Sequence, residues 1–132
     1  YDHVMPEFCI RIINKEDPFI IYGGKETRAF CHINDAVKAT ELVMKSDKVN
    51  NEIIHVGNDA DEISIKELAE KMFKITGFEP SLDIHPAPKG CVQRRCPDIS
   101  KLKTLTGYEP KVLLDDGLKD IFSWYEKNPK KN

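Results

Sequence analysis

The chain has 132 residues, with 20 basic against 22 acidic side chains and a formal net charge of -2. That length favours one domain and allows a real core. The slightly acidic balance argues against a dedicated nucleic-acid binder, which concentrates basic charge on one face.

Phe8, Cys9, Ile12 and Ile13 share one face at helical spacing, so residues 5–15 are expected to form a helix, with Pro6 in its first turn. Asp17-Pro18 breaks it. Phe19–Tyr22 reads as a short apolar strand, Gly23-Gly24 as a hairpin-like turn, and Arg28 to Ile33 as a second strand with Ala29, Cys31 and Ile33 on one face. Asn34-Asp35 is a helix-start signal. The helix is expected to run to about Lys45 behind a stripe of Val37, Thr40, Val43 and Met44. Glu52 to Val56 is the clearest strand, ended by Gly57-Asn58-Asp59. Ser64-Ile-Lys-Glu67 is a capping box for a helix that buries Ile65, Leu68, Ala69 and Met72 and stops at Gly77. A strand at Ser81–His85 and a loop at Pro86–Gly90 follow. Asp98 is an N-cap for a short helix that ends before Gly107. Leu114, Leu118, Ile121, Phe122 and Tyr125 mark a last amphipathic helix. The fold class is mixed α/β, with four or five helices and short strands.

Two stretches carry candidate chemistry. Tyr22-Gly-Gly-Lys-Glu-Thr-Arg28 and Arg94-Arg95-Cys96-Pro97-Asp98 each place arginine beside turn residues ahead of an expected helix. A guanidinium meets phosphate oxygens through two parallel hydrogen bonds, so two such places suit an anion with two charged groups, such as a pyrophosphate. Arg28, set among apolar neighbours, needs a partner: Asp35 in one reading, a ligand phosphate in the other. Arg94-Arg95 also reads as a surface basic pair. No Gly-rich phosphate loop, nucleophile elbow or H-E-x-x-H is present. His3, His32, His55 and His85 are scattered and read as structural or solvent-facing. Asp59 and Asp61 read as turn residues ahead of a helix rather than metal ligands. Zinc on Cys31, His32, Cys91 and Cys96 would lack the usual paired spacing, and no metal is expected. Cys9 and those three cysteines read as reduced thiols of a cytoplasmic protein. No apolar run approaches the roughly 20 residues that span a bilayer, so no membrane partner is expected. Lys130-Lys131 reads as a solvated tail. The start at Tyr1 carries neither signal-peptide features nor Met, and a piece of a longer chain is expected.

The ordered series of motifs resembles a known family. Tyr22-Gly…Thr27-Arg28-Ala-Phe30…Asp35 is similar to the Y-G-x-G-x-x-T-R-x-F-x-x-V-x-D segment of extended short-chain dehydrogenases/reductases that act on nucleotide sugars. Asn51 to Gly57 with Ser64-Ile-Lys-Glu-Leu68 resembles their Y-N-(I/L)-G … (S/T)-I-x-E-L stretch. Arg95-Cys-Pro-Asp98-Ile-Ser-Lys101, Gly107-Tyr-Glu-Pro110 and Leu114-Asp-Asp-Gly-Leu118 resemble the family's ending, and His3 to Phe8 its H-V-I-P-x-F helix. The resemblance implies that residues 1–132 are the C-terminal nucleotide-sugar-binding portion of an epimerase, 4,6-dehydratase or decarboxylase. NAD(P) and a Tyr-x-x-x-Lys pair would then belong to an N-terminal Rossmann domain, with no cofactor bound and no catalytic residue supplied by this chain. Carried over by position, Arg28 matches the pyrophosphate arginine. Ile21 and Tyr22 match the segment lining the nucleobase pocket. Arg95 matches the arginine of R-x-P-D, or Arg94 does in the dehydratase alignment. Cys96, Leu102 and Tyr108 depart from the usual lysine, alanine and tryptophan. A homodimeric parent is implied, and a non-catalytic nucleotide-sugar module or an interaction domain are the alternatives.

Overall fold

The computed structural model describes residues 3–128. They form five helices and five short strands: α1 (Val4–Ile13), β1 (Phe19–Tyr22), β2 (Thr27–Ala29), α2 (Ile33–Lys45), β3 (Glu62–Ser64), α3 (Ile65–Thr76), β4 (Leu82–His85), β5 (Arg94–Arg95), α4 (Ser100–Thr106) and α5 (Leu114–Lys127). This is the mixed α/β class expected. Lys130-Lys131, read as a tail, lie outside the described residues. The chain divides into two compact units. The first comprises residues 3–26, 64–93 and 115–128 of the described chain, and the second 27–63 and 94–114.

In the first unit α1 buries Phe8, Cys9 and Ile12 on one face. Phe19 of β1 meets Phe8 edge-on with ring centroids 5.2 Å apart, and Phe73 of α3 at 4.9 Å. The Arg11 guanidinium lies 4.0 Å from the Phe19 ring centroid and donates to the Ile20 carbonyl at 2.7 Å. A cation–π contact and a hydrogen bond thus tie α1 to β1. α3 opens on the capping box: Ser64 Oγ accepts from the Glu67 N–H at 3.2 Å, and the Glu67 carboxylate accepts from the Ser64 N–H at 3.0 Å. It closes on Gly77 in the left-handed region, with Leu68, Ala69 and Met72 buried. α5 adds Leu118 and Tyr125 to the buried set.

β1 pairs in parallel with β4, from Phe19 opposite Leu82 to Tyr22 opposite His85. The expected hairpin at Gly23-Gly24 is not formed, because β1 and β2 lie in different sheets. Glu26 supplies the reason. Its buried carboxylate turns back to accept from the Gly24 N–H at 2.7 Å, and a Cβ on Gly23 would stand 2.2 Å from that same oxygen. The two glycines, at φ of 92° and 128°, wrap a carboxylate rather than close a two-residue turn.

The second unit holds the sheet β3-β2-β5. Its core is Ala39, Ile99, Leu102 and Tyr108, with Leu42, Val43 and Ile54 packed against it. Several expectations are corrected here. β2 ends at Ala29, and α2 begins at Ile33 behind His32, whose Nδ1 accepts from the Asn34 N–H at 3.3 Å. Asp35 is not the cap: its buried carboxylate accepts from the N–H groups of Lys111 and Val112, at 3.0 and 2.9 Å. The apolar stripe of α2 is also rotated. Ala39, Leu42 and Val43 face the core, whereas Val37 and Met44 are 60% and 82% exposed. Finally, 52–56 forms no strand. Ile54 packs inward while Ile53 is 83% exposed; a ladder needs a neighbouring edge, and the described residues offer this stretch none. α4 starts one residue later than an Asp98 cap implies: Ile99 is the N-cap and makes no side-chain cap bond, while Asp98 before it accepts from the Ser100 N–H at 2.9 Å, and the helix stops at Gly107 as expected.

Candidate functional site

The three arginines singled out in the sequence lie on two adjacent strands of the second unit. β2 and β5 run parallel, with Thr27 opposite Arg94 and Arg28 opposite Arg95. Residues in register share a face of the sheet, and neighbours along a strand take opposite faces. Arg28 and Arg95 therefore project from one face, Thr27 and Arg94 from the other.

On the Thr27 face, Glu62 of β3 closes a network. Arg94 Nε donates to Glu62 Oε1 at 2.9 Å and Arg94 Nη2 to Oε2 at 2.7 Å, a bidentate pair. The Thr27 hydroxyl donates to Oε1 at 2.5 Å. Donation by Arg94 first, then by Thr27, holds the Glu62 carboxyl below the usual range and raises Arg94 in turn. On the other face Arg28 is half-buried, and its Nη1 donates to the Thr27 carbonyl at 2.7 Å. Arg95 is exposed and makes no side-chain hydrogen bond to the described residues. Asp35, the carboxylate weighed for Arg28, is occupied by backbone N–H groups. Two guanidiniums side by side repel unless an anion joins them.

Ile21 and Tyr22 belong to the first unit. Ile21 is 2% exposed as a whole residue, backbone included, so it presents almost no surface to a ligand. Tyr22 is 64% exposed, with its ring centroid 5.6 Å from that of His85. A groove of about 440 Å³ opens beyond the carboxyl ends of β1 and β4, walled in part by Gly23, Lys66, Ile84 and His85. The Gly23-Gly24 turn does not fit a dinucleotide pyrophosphate, because the Glu26 carboxyl oxygens already occupy it.

Asp59, Asp61 and His85 have structural partners. Lys103 Nζ contacts Asp59 Oδ1 at 2.8 Å, Asp61 accepts from Asn58, and His85 pairs with Asp83 at 2.9 Å. Among the described residues no three His, Cys, Asp or Glu side chains gather to hold a metal ion. Sequence reasoning missed Glu62 and the strand it lies on, since a three-residue polar strand carries no alternation to read.

The sequence matches the GDP-mannose 4,6 dehydratase family over residues 2–121. It is 36% identical to the UDP-N-acetyl-alpha-D-glucosaminuronate decarboxylase of Bacillus cytotoxicus, an alignment covering 96% of this chain and 41% of that protein. The fold superposes with a TM-score of 0.87 on a UDP-glucuronic acid 4-epimerase from Bacillus cereus solved with UDP-4-deoxy-4-fluoro-glucuronic acid and NAD, at 26% identity, covering 96% of this chain and 40% of that one. It superposes with a TM-score of 0.86 on the UDP-glucose 4-epimerase of Thermotoga maritima solved with UDP-glucose, at 29% identity, covering 97% and 40%. The chain belongs to the GDP-mannose 4,6 dehydratase family, whose matched members here are nucleotide-sugar epimerases and decarboxylases. It spans about two-fifths of the length of these relatives and corresponds to their C-terminal part.

Proposed function

We propose that this chain supplies the nucleotide-sugar-binding part of an NAD(P)-dependent epimerase, 4,6-dehydratase or decarboxylase, and that Arg28 and Arg95 bind the substrate's diphosphate. The observation that carries the reading is the division of the three arginines between two faces. Glu62 neutralises Arg94, which leaves Arg28 and Arg95 as a pair in register with no carboxylate partner among the described residues. Each guanidinium offers parallel N–H donors to phosphate oxygens. With Nη1 of Arg28 anchored on the Thr27 carbonyl, that side chain loses little freedom on binding, which favours orientation of the sugar. The nucleobase reading rests on the first unit alone, where Tyr22 is exposed and Ile21 is buried beside it in the same strand. Hydride transfer and its cofactor fall to parts of the parent outside this chain, and the chain alone is inactive.

The test is a titration of the 132-residue chain with inorganic diphosphate and with UDP, dTDP, GDP and CDP, followed by NMR of backbone amides and arginine Nε–H groups. Shifts concentrated at Arg28 and Arg95, larger than at Arg94, are expected. No shift at millimolar ligand overturns the assignment.

A further inference from the structure

β5 is two residues long, and both of its residues are exposed. Strand register is normally set by burying one face, and this strand has no apolar face to bury. Its sequence, Arg94-Arg95, also repeats the same side chain, so a slip by one residue would still leave an arginine opposite Thr27. That slip would carry Arg95 to the Glu62 face and set Cys96 beside Arg28. The pairing observed is fixed by other means.

The one carboxylate of Glu62 reaches all three strands. It starts on β3, accepts from the Thr27 hydroxyl of β2, and takes Arg94 of β5 in a two-point grip of 2.9 and 2.7 Å. Such a fork fixes orientation as well as distance. It also removes one of three positive charges crowded onto two register pairs.

We infer that Glu62 is a positioning residue that ties down Arg94 so that Arg95 stands beside Arg28. This inference rests on the diphosphate reading above. Arg94 is then a tether and Arg95 a ligand group, although the two are identical neighbours in the sequence. Glu62 itself touches no phosphate, and a carboxylate on that face has no favourable contact to offer one.

The test compares inorganic diphosphate affinity in the 132-residue chain and in Glu62→Gln, Arg94→Ala, the double variant, and the exchanged pair Glu62→Arg with Arg94→Glu. Glutamine keeps the shape and a partner for Thr27 but loses the charge that grips Arg94. Glu62→Gln and Arg94→Ala should each weaken binding by about three- to tenfold, the range of one modest hydrogen-bonded interaction. The double variant should weaken it no further, since both remove one tie. The exchanged pair should restore affinity, which a generally damaged sheet would not do, and it gives a second reading should Glu62→Gln fail to fold. Unchanged or tighter binding in Glu62→Gln, with the Arg94 Nε–H becoming the resonance that moves, would make Arg94 a ligand held in check and overturn the inference alone. Absence of diphosphate binding by the parent chain would overturn the proposed function, and the inference with it.

Discussion

Arg28 and Arg95 stand opposite one another in the parallel β2–β5 pair, two like charges on neighbouring strands. A fold keeps such a pair at a cost unless an anion repays it. Replacing either arginine by alanine should weaken diphosphate and nucleoside diphosphate binding by about 1.5–3 kcal/mol, the scale of hydrogen bonds to charged groups. Arg28→Lys should recover only part of this, because an ammonium lacks the planar fork. Calorimetric titration reads both effects. An Arg28→Ala protein that folds and binds like its parent takes Arg28 out of the site.

Gly57 and Pro97 are forty positions apart in sequence, yet a Cβ on Gly57 would lie 2.6 Å from Pro97 Cγ. A proline ring has little room to yield, so Gly57→Ala should destabilise by about 1–3 kcal/mol, the cost of overpacking. Because Pro97 follows Arg95 by two residues, diphosphate affinity should fall as well. Adding Pro97→Ala should recover much of the lost stability. Urea midpoints decide it: a single variant as stable as the parent would show that the loop accommodates the methyl.

That contact explains how much of this fold could be read in advance. Helices were legible where caps and periodicity agree, as at Ser64–Gly77. The motifs that carried the resemblance prove to be one another's scaffolding: Pro97 packs on Gly57, Tyr108 donates to the Gly57 carbonyl at 3.2 Å, and Asp35 receives the N–H groups after Pro110. Asp35 read as a helix cap because a local signal and a tertiary role use the same side chain. The stretch 52–56 read as a strand because its composition is right, but a strand is completed only by a partner. Arg94 and Arg95 could not be told apart, since their difference lies in Glu62, thirty-two residues from Arg94. Side-chain alternation and spacing do not reach that far.

Alkaline conditions should weaken the fold in a defined way. Cys9 is fully buried in α1, and burial pushes its thiol up to about 11. Burial likewise raises Cys31 and Tyr108. For a group raised in the folded state, the stabilisation is whole below its unfolded value and is lost as pH rises toward the folded one. Stability should therefore decline from about pH 9 upward, where the unfolded chain ionises thiols that the folded chain keeps neutral. Cys9→Ala should make that decline shallower by about one proton per unfolding event. Urea denaturation between pH 8 and 10.5 measures the slope, and an identical slope in the variant would remove Cys9 from the account.

The outward side of α2 carries Ile33, Val37 and Met44, all largely exposed. They lie four and seven residues apart, spacings that nearly repeat the helical turn, so the three fall along one strip of the helix. An apolar strip of this kind on a chain that spans two-fifths of its relatives' length should behave as unfinished surface in solution. The isolated chain should bind an apolar dye and self-associate with rising concentration. Val37→Glu with Met44→Lys should suppress both while leaving diphosphate affinity within about twofold, because neither residue lies on β2 or β5 and each added charge is met at the helix surface by solvent. Sedimentation and dye titration, run beside the calorimetry, separate the two properties. A parent chain that stays monomeric and dark at high concentration would mean that the strip is too small, or too interrupted by Lys38 and Glu41, to act as an interface.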